Sequence, residues 1–211
     1  MKNYLSLYLP VTYEKIIERS RFIANCAHAE GEEAARAFVE KIRAEHPLAT
    51  HNCFAFVADD AGNLLRFSDD GEPQGTAGMP ILEVLRGKKL MQTAVVVTRY
   101  FGGIKLGAGG LVRAYSSAAA EALAGADIRE YRLCRELRAE VGYDAYDALR
   151  KFLDRAPCFV RDTEYAGSVA VKIAVAEEEK GAFSASLIDN MAGKVLLQEG
   201  GTFLFPFPQQ K

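Results

Sequence analysis

Thr93-Ala94-Val95-Val96-Val97-Thr98 is a run rich in β-branched residues held between two glycine-rich stretches, and it constrains the fold more than any other feature. Stiff, branched side chains suit a pleated surface, so the run predicts a buried strand. Upstream, Asp69-Asp70-Gly71-Glu72-Pro73-Gln74-Gly75-Thr76-Ala77-Gly78 sets three carboxylates within four residues, just before a helix start. Downstream, Phe101-Gly102-Gly103-Ile104-Lys105-Leu106-Gly107-Ala108-Gly109-Gly110 leaves the strand and enters a helix. Charge is separated by sign: residues 84–120 hold six basic groups and no acidic one, while Asp59, Asp60, Asp69, Asp70 and Glu72 precede them. That is the chemistry of an anion site beside a carboxylate cluster.

Glycine lets a backbone take positive φ and approach a ligand closely, and a helix N-terminus offers unpaired N–H groups to an anion. Arg99, Lys105 and Arg113 complete an anion or nucleic-acid site with the backbone of Gly102, Gly103 and Gly107. The spacing is neither GxGxxG nor GxxxxGK[ST], which argues against an ordinary dinucleotide or Walker site. Tight turning and close helix packing are the alternative use of these glycines. Asp69, Asp70 and Glu72 also have two uses: oxygen ligands or an acid–base pair on one side, a solvated turn complementing a helix start on the other. EF-hand spacing is absent, which favours the second. His51 stands two residues from Cys53, on the same side of a strand. No catalytic signature surrounds Cys53, so it reads as a core thiol and His51 as a residue lining the site. His28 and His46 join no ligand cluster, so no structural zinc and no cofactor are expected.

With 211 residues, 49% of them hydrophobic, the chain has material for one large or two small cores. Residues 1–130 carry 15 basic and 16 acidic groups and residues 131–211 carry 11 and 12, so no domain is basic as a whole. Polyanion binding would need a local patch. The four cysteines show no CxxC spacing and the N-terminal residues no secretory pattern, which points to a cytoplasmic protein. The longest apolar run falls far short of the roughly 20 residues that cross a bilayer, so no membrane role is expected.

Along the chain, 13–28 predicts two short strands or one bent one, 31–46 a helix stopped by Pro47, and 53–58 with 64–67 a hairpin. Thr76 is placed to cap a helix ended by Gly87, and 111–124 predicts an alanine-rich helix. After a linker at 125–131 the pattern becomes strand, helix, strand, strand, helix, strand over 137–205, the βαββαβ order of a ferredoxin-like unit. Residues 177–179 predict a solvated helix start and 206–211 an extended tail.

Arg19-Ser20-Arg21-Phe22, Thr50-His51-Asn52-Cys53, the acidic run 68–78 and Val97-Thr98-Arg99-Tyr100-Phe101-Gly102-Gly103-Ile104-Lys105-Leu106-Gly107 closely resemble the YigZ/IMPACT family. The resemblance implies an α+β protein of two domains. Residues 1–128 would form an α/β domain of the ribosomal-protein domain-2-like type. Residues 132–211 would form a ferredoxin-like domain similar to the last domain of elongation factor G. Eukaryotic relatives regulate translation by binding an activator protein, through which they restrain a starvation-responsive kinase. No N-terminal RWD domain is expected for this chain, so the eukaryotic partner is not carried over to it. The expected function is a non-catalytic regulator or binding protein linked to translation or stress, contacting RNA, the ribosome or a translation-associated protein, with no DNA sequence specificity. The alternative is a metal-assisted enzyme acting on a phosphorylated small molecule or nucleic acid.

Overall fold

The computed structural model describes residues 2–208, and the chain divides into two compact units at Glu130/Tyr131. In the first unit β1 (Tyr4–Leu7) precedes a hairpin of β2 (Val11–Ile17) and β3 (Ser20–His28). Helix α1 (Gly31–Glu45), a second hairpin of β4 (His51–Val57) and β5 (Leu65–Ser68), helix α2 (Gly78–Gly87), β6 (Thr93–Tyr100) and α3 (Gly107–Ala124) follow. The strands form one antiparallel sheet in the order β2-β3-β6-β4-β5.

The β-branched run is the sheet's central strand, and Thr93 through Thr98 are all buried. It lacks polar alternation because helices cover both faces. Val95 and Val97 point with Phe22, Ala24, Cys53 and Ala55 into a core shared with α2 and α3, while Ala94 and Val96 meet Ala35, Val39 and Ile42 of α1. Burying each valine contributes roughly 1.5–3 kcal/mol, so this strand is a main source of the sheet's apolar stabilisation. By contrast β2, at the sheet edge, alternates between half-buried and exposed positions.

Three local features differ from expectation. Helix α3 starts at Gly107, four residues before the alanine-rich stretch begins, although glycine is a poor helix former. Thr76 does not cap α2; its hydroxyl donates to the Pro73 carbonyl at 2.6 Å, and the Asp69 carboxylate caps the helix instead. The expected linker 125–131 is mostly strand, because β7 (Ile128–Val141) begins there.

The second unit, residues 131–206, has the expected βαββαβ order: β7, α4 (Tyr143–Leu153), β8 (Phe159–Tyr165), β9 (Val169–Ala176), α5 (Lys180–Asn190) and β10 (Leu196–Pro208). Its strands run β10-β7-β9-β8, with β9 antiparallel to both neighbours. Leu149, Leu153, Phe183 and Leu187 from the two helices pack on Leu137, Val171 and Ile173. The run 177–179 is not merely solvated, since Glu177 pairs with Arg135 at 2.9 Å and Glu179 with Arg132 at 2.9 Å. Of the expected tail, 206–208 continue β10, and 209–211 lie outside the described residues.

The β2–β3 hairpin turns through Glu18 and Arg19, both left-handed at φ 44° and 63°, between paired Ile17 and Ser20. This is a two-residue turn with the type I′ signature, normally built from Asn-Gly because other side chains resist positive φ. Replacing Glu18-Arg19 by Asn-Gly should therefore stabilise the protein by about 1–2 kcal/mol. Chemical denaturation reads this directly; an unchanged midpoint would mean that the turn is not strained.

Candidate functional site

Antiparallel register assembles the site. Arg99 near the end of β6 is paired across the sheet with Phe22 on β3 and with His51 on β4, so the three side chains stand abreast facing α2 and α3. Its guanidinium lies between the Phe22 and Phe101 rings, 5.4 and 5.3 Å from their centres. Only 6% of the Arg99 side chain and 4% of the Glu72 side chain are exposed, and the two meet at 2.6 Å. Tyr115 on α3 donates to the same Glu72 oxygen, Oε1, at 2.7 Å, and Arg99 donates to Ser20 Oγ at 3.2 Å. The carboxylate loop and the basic strand end are thus one site.

The three adjacent carboxylates have separate tasks. Asp69 accepts from the backbone N–H groups of Gly75, Ala77 and Gly78 at 2.8, 3.0 and 2.8 Å. Burial pushes its carboxyl upward, but the hydrogen bonds from Gly75, Gly78 and Ala77 outweigh it and hold the group below its ordinary 3.8. Asp70, with φ 46°, accepts from the Asn52 N–H at 2.6 Å and pairs with Arg43 at 3.2 Å. Glu72 alone turns inward to Arg99. Among the described residues no group of three or more His, Cys, Asp or Glu side chains is arranged to hold a metal ion, so the expected alternative of a carboxylate metal site has no ligand set.

His51 Nδ1 lies 2.8 Å from the Asp70 carbonyl and Nε2 3.8 Å from Glu72 Oε2. Cys53 donates its thiol to the Asp69 carbonyl at 2.9 Å, and burial raises its pKa strongly, which suits a packing residue and not a nucleophile. Tyr115 is likewise pushed up by burial and stays a hydrogen-bond donor.

The glycine-rich loop joins this cluster to α3. A Cβ on Gly102 would stand 2.0 Å from the Arg19 carbonyl oxygen, so the loop can lie against the β2–β3 turn only with glycine there. Gly107 takes φ 69° where α3 begins, and no side chain caps the helix. Two depressions open at this end. One of about 420 Å³ is lined by Thr50, His51, Glu72, Arg99, Phe101 and the 105–108 turn. The other, about 550 Å³, lies between Ile17-Glu18 and Lys105, Gly110 and Arg113. Lys105 borders both. Arg99 is consumed by Glu72, whereas Lys105 and Arg113 are exposed and form no ion pair among the described residues. Tyr115 and Ser20 were not legible as site residues; the only hint was a polar-tipped aromatic within an otherwise apolar helical face.

Residues 18–123 match the Impact N-terminal domain, and residues 140–194 match the domain of unknown function DUF1949. The chain belongs to the IMPACT family. It is 38% identical to the IMPACT family member YvyE of Bacillus subtilis, across 95% of this chain and 92% of that protein. It is 39% identical to YigZ of Escherichia coli, across 93% and 98%. A crystal structure described as a hypothetical protein superposes with a TM-score of 0.63 at 39% identity, covering 93% of this chain and 97% of the other. Every element of the Arg99–Glu72 cluster lies within the Impact N-terminal match of this IMPACT family protein.

Because removing one member of a buried ion pair strands the other charge, Arg99→Ala should destabilise the protein by about 3–5 kcal/mol. Replacing Arg99 and Glu72 together by apolar residues of similar size should restore most of that loss; equal unfolding midpoints for Arg99→Ala and wild type would refute the pairing. The depressed Asp69 pKa makes its contribution present above the unfolded value near 3.8 and lost as pH falls through the lower folded value. Asp69→Asn should therefore lower stability at neutral pH, and the gap should close in acid below the ordinary carboxylate range. A gap independent of pH would show that the carboxylate charge contributes nothing.

Proposed function

We propose that the first unit of this IMPACT family protein is a phosphate-binding module that engages RNA, within a non-catalytic regulator or binding protein linked to translation. The observation that carries the reading is the junction of β6 and α3. There an 18-residue helix presents its uncapped first turn, with no acidic residue in it, beside the exposed cations Lys105 and Arg113. The first N–H groups of a helix lack intrahelical acceptors and the aligned peptide dipoles put partial positive charge there, so an anion is the natural occupant. Arg113 folds back over the same turn, its Nη1 3.6 Å from where a Gly109 Cβ would stand.

RNA is favoured as the source of the phosphate because the site offers uncapped backbone N–H groups beside two exposed cations, the donors that commonly hold a nucleic-acid backbone. The link to translation comes from the resemblance of the second unit to the last domain of elongation factor G and from the regulatory role of eukaryotic relatives. Arg99 belongs to the site's frame and not to its free charge.

Binding of the full chain to a structured RNA and to ribosomes across a salt series tests this. Lys105→Ala and Arg113→Ala should each weaken binding and reduce the log–log salt slope by about 0.7–0.9 per lost phosphate contact, with unchanged unfolding midpoints. Slopes equal to wild type in both variants would place the contact elsewhere.

A further inference from the structure

The smaller of the two depressions is lined by acceptors that have no donor. Both hydrogen bonds to the Glu72 carboxylate, from Arg99 and Tyr115, land on Oε1. Among the described residues Oε2 accepts none, while Glu72 as a whole is only 8% exposed, so what is accessible of it faces this depression. Its nearest cationic candidate is His51 Nε2 at 3.8 Å, beyond hydrogen-bond reach. The ring's other nitrogen decides what Nε2 offers. Nδ1 faces the Asp70 carbonyl at 2.8 Å, and a carbonyl only accepts, so the proton of the neutral ring sits on Nδ1. In that tautomer Nε2 presents a lone pair beside the Glu72 Oε2 acceptor. Arg99 adds a buried Nε–H with no partner in the same wall.

An occupant must therefore bring hydrogen-bond donors to Glu72 and His51. Ammonium donors suit the position poorly, because Lys105, Arg99 and the positive end of α3 surround it. Neutral hydroxyls carried by an otherwise anionic molecule satisfy both halves of the cavity. Its volume of about 420 Å³ falls in the range of small-ligand pockets, and Phe101, 46% exposed, stands at its rim as an apolar face.

We propose that this cavity reads the terminal ribose of an RNA 3′ end or of a free ribonucleotide: its 2′- and 3′-hydroxyls donate to Glu72 Oε2 and His51 Nε2 while its phosphate rests on the first turn of α3 beside Lys105. The inference rests on the phosphate site proposed above and adds to it discrimination between RNA and DNA. A 2′-deoxy sugar would cover one of these acceptors without offering it a donor, and such a loss is what makes a polar pocket reject an analogue.

The test compares binding of the full chain to a labelled single-stranded RNA, to DNA of the same sequence, and to the RNA with 2′-O-methyl groups. RNA should bind roughly tenfold or more tightly than either of the others, the worth of a hydrogen bond to a charged group. In His51→Phe the RNA affinity should fall toward that of DNA so that the preference collapses toward unity, whereas a merely misfolded site would also lower the unfolding midpoint. Competition by adenosine monophosphate, but not its 2′-deoxy form, would support the inference with a free ribonucleotide as the source; competition by neither, with RNA preference intact, would support it with a strand as the source. Equal binding of RNA and DNA by wild type would overturn this inference while leaving the phosphate site standing. Binding of neither would overturn both.

Discussion

Arg99 leaves β6 with its guanidinium almost wholly out of water, and the Glu72 carboxylate at 2.6 Å is what makes that position tolerable. Desolvating two such ions costs several kcal/mol each, and their attraction repays it only when further hydrogen bonds satisfy the remaining atoms. Tyr115 and Ser20 supply those bonds, and the Phe22 and Phe101 rings flank the cation. One pair thereby connects β3, β6, α3 and the loop between β5 and α2. An apolar pair would hold these elements together as well, so stability alone gives no reason for charge here. What charge adds is orientation: with both donors on Oε1, Oε2 is held toward His51 and the cavity.

The loop carrying Glu72 is shaped by its neighbours in sequence. Asp69 gathers three N–H groups and starts α2, and Asp70 fastens the loop to β4 through the Asn52 N–H. These two sets of bonds hold the loop in the path from which Glu72 turns inward to Arg99. Three consecutive-looking acidic residues therefore act as a cap, a fastener and a counterion, with no shared ligand between them.

Much of the architecture was legible because it rests on local pattern. The βαββαβ order follows from amphipathic segments separated by clear turn signals, and the buried central strand follows from its β-branched run. The start of α3 was not legible, since Gly107, Gly109 and Gly110 argue against helix on propensity, and the helix is anchored only from Leu111 onward, where Leu111, Ala114 and Tyr115 enter the core. Nor was the Glu18-Arg19 turn, whose left-handed residues are unfavourable locally and are held by the pairing of Ile17 with Ser20. For the site, residue types were visible and partnerships were not. That Arg99 belongs with Glu72, 27 residues away, and with His51 is decided by strand register, which periodicity does not reveal.

The division of labour among the basic residues follows from the same pair. A phosphate approaching the α3 N-terminus would meet the Glu72 carboxylate at the wall of the cavity, and like charges a few ångströms apart repel by a few kcal/mol at the effective dielectric of a protein surface. Arg99 cancels that charge at contact distance, so the cavity presents a carboxylate oxygen as an acceptor without presenting a net negative field. Lys105 and Arg113 then remain as uncompensated charge, exposed where they can replace counterions. Arg99 could not do both. Freed to bind phosphate it would leave Glu72 buried and unpaired, and the site would repel the anion it is otherwise built to hold.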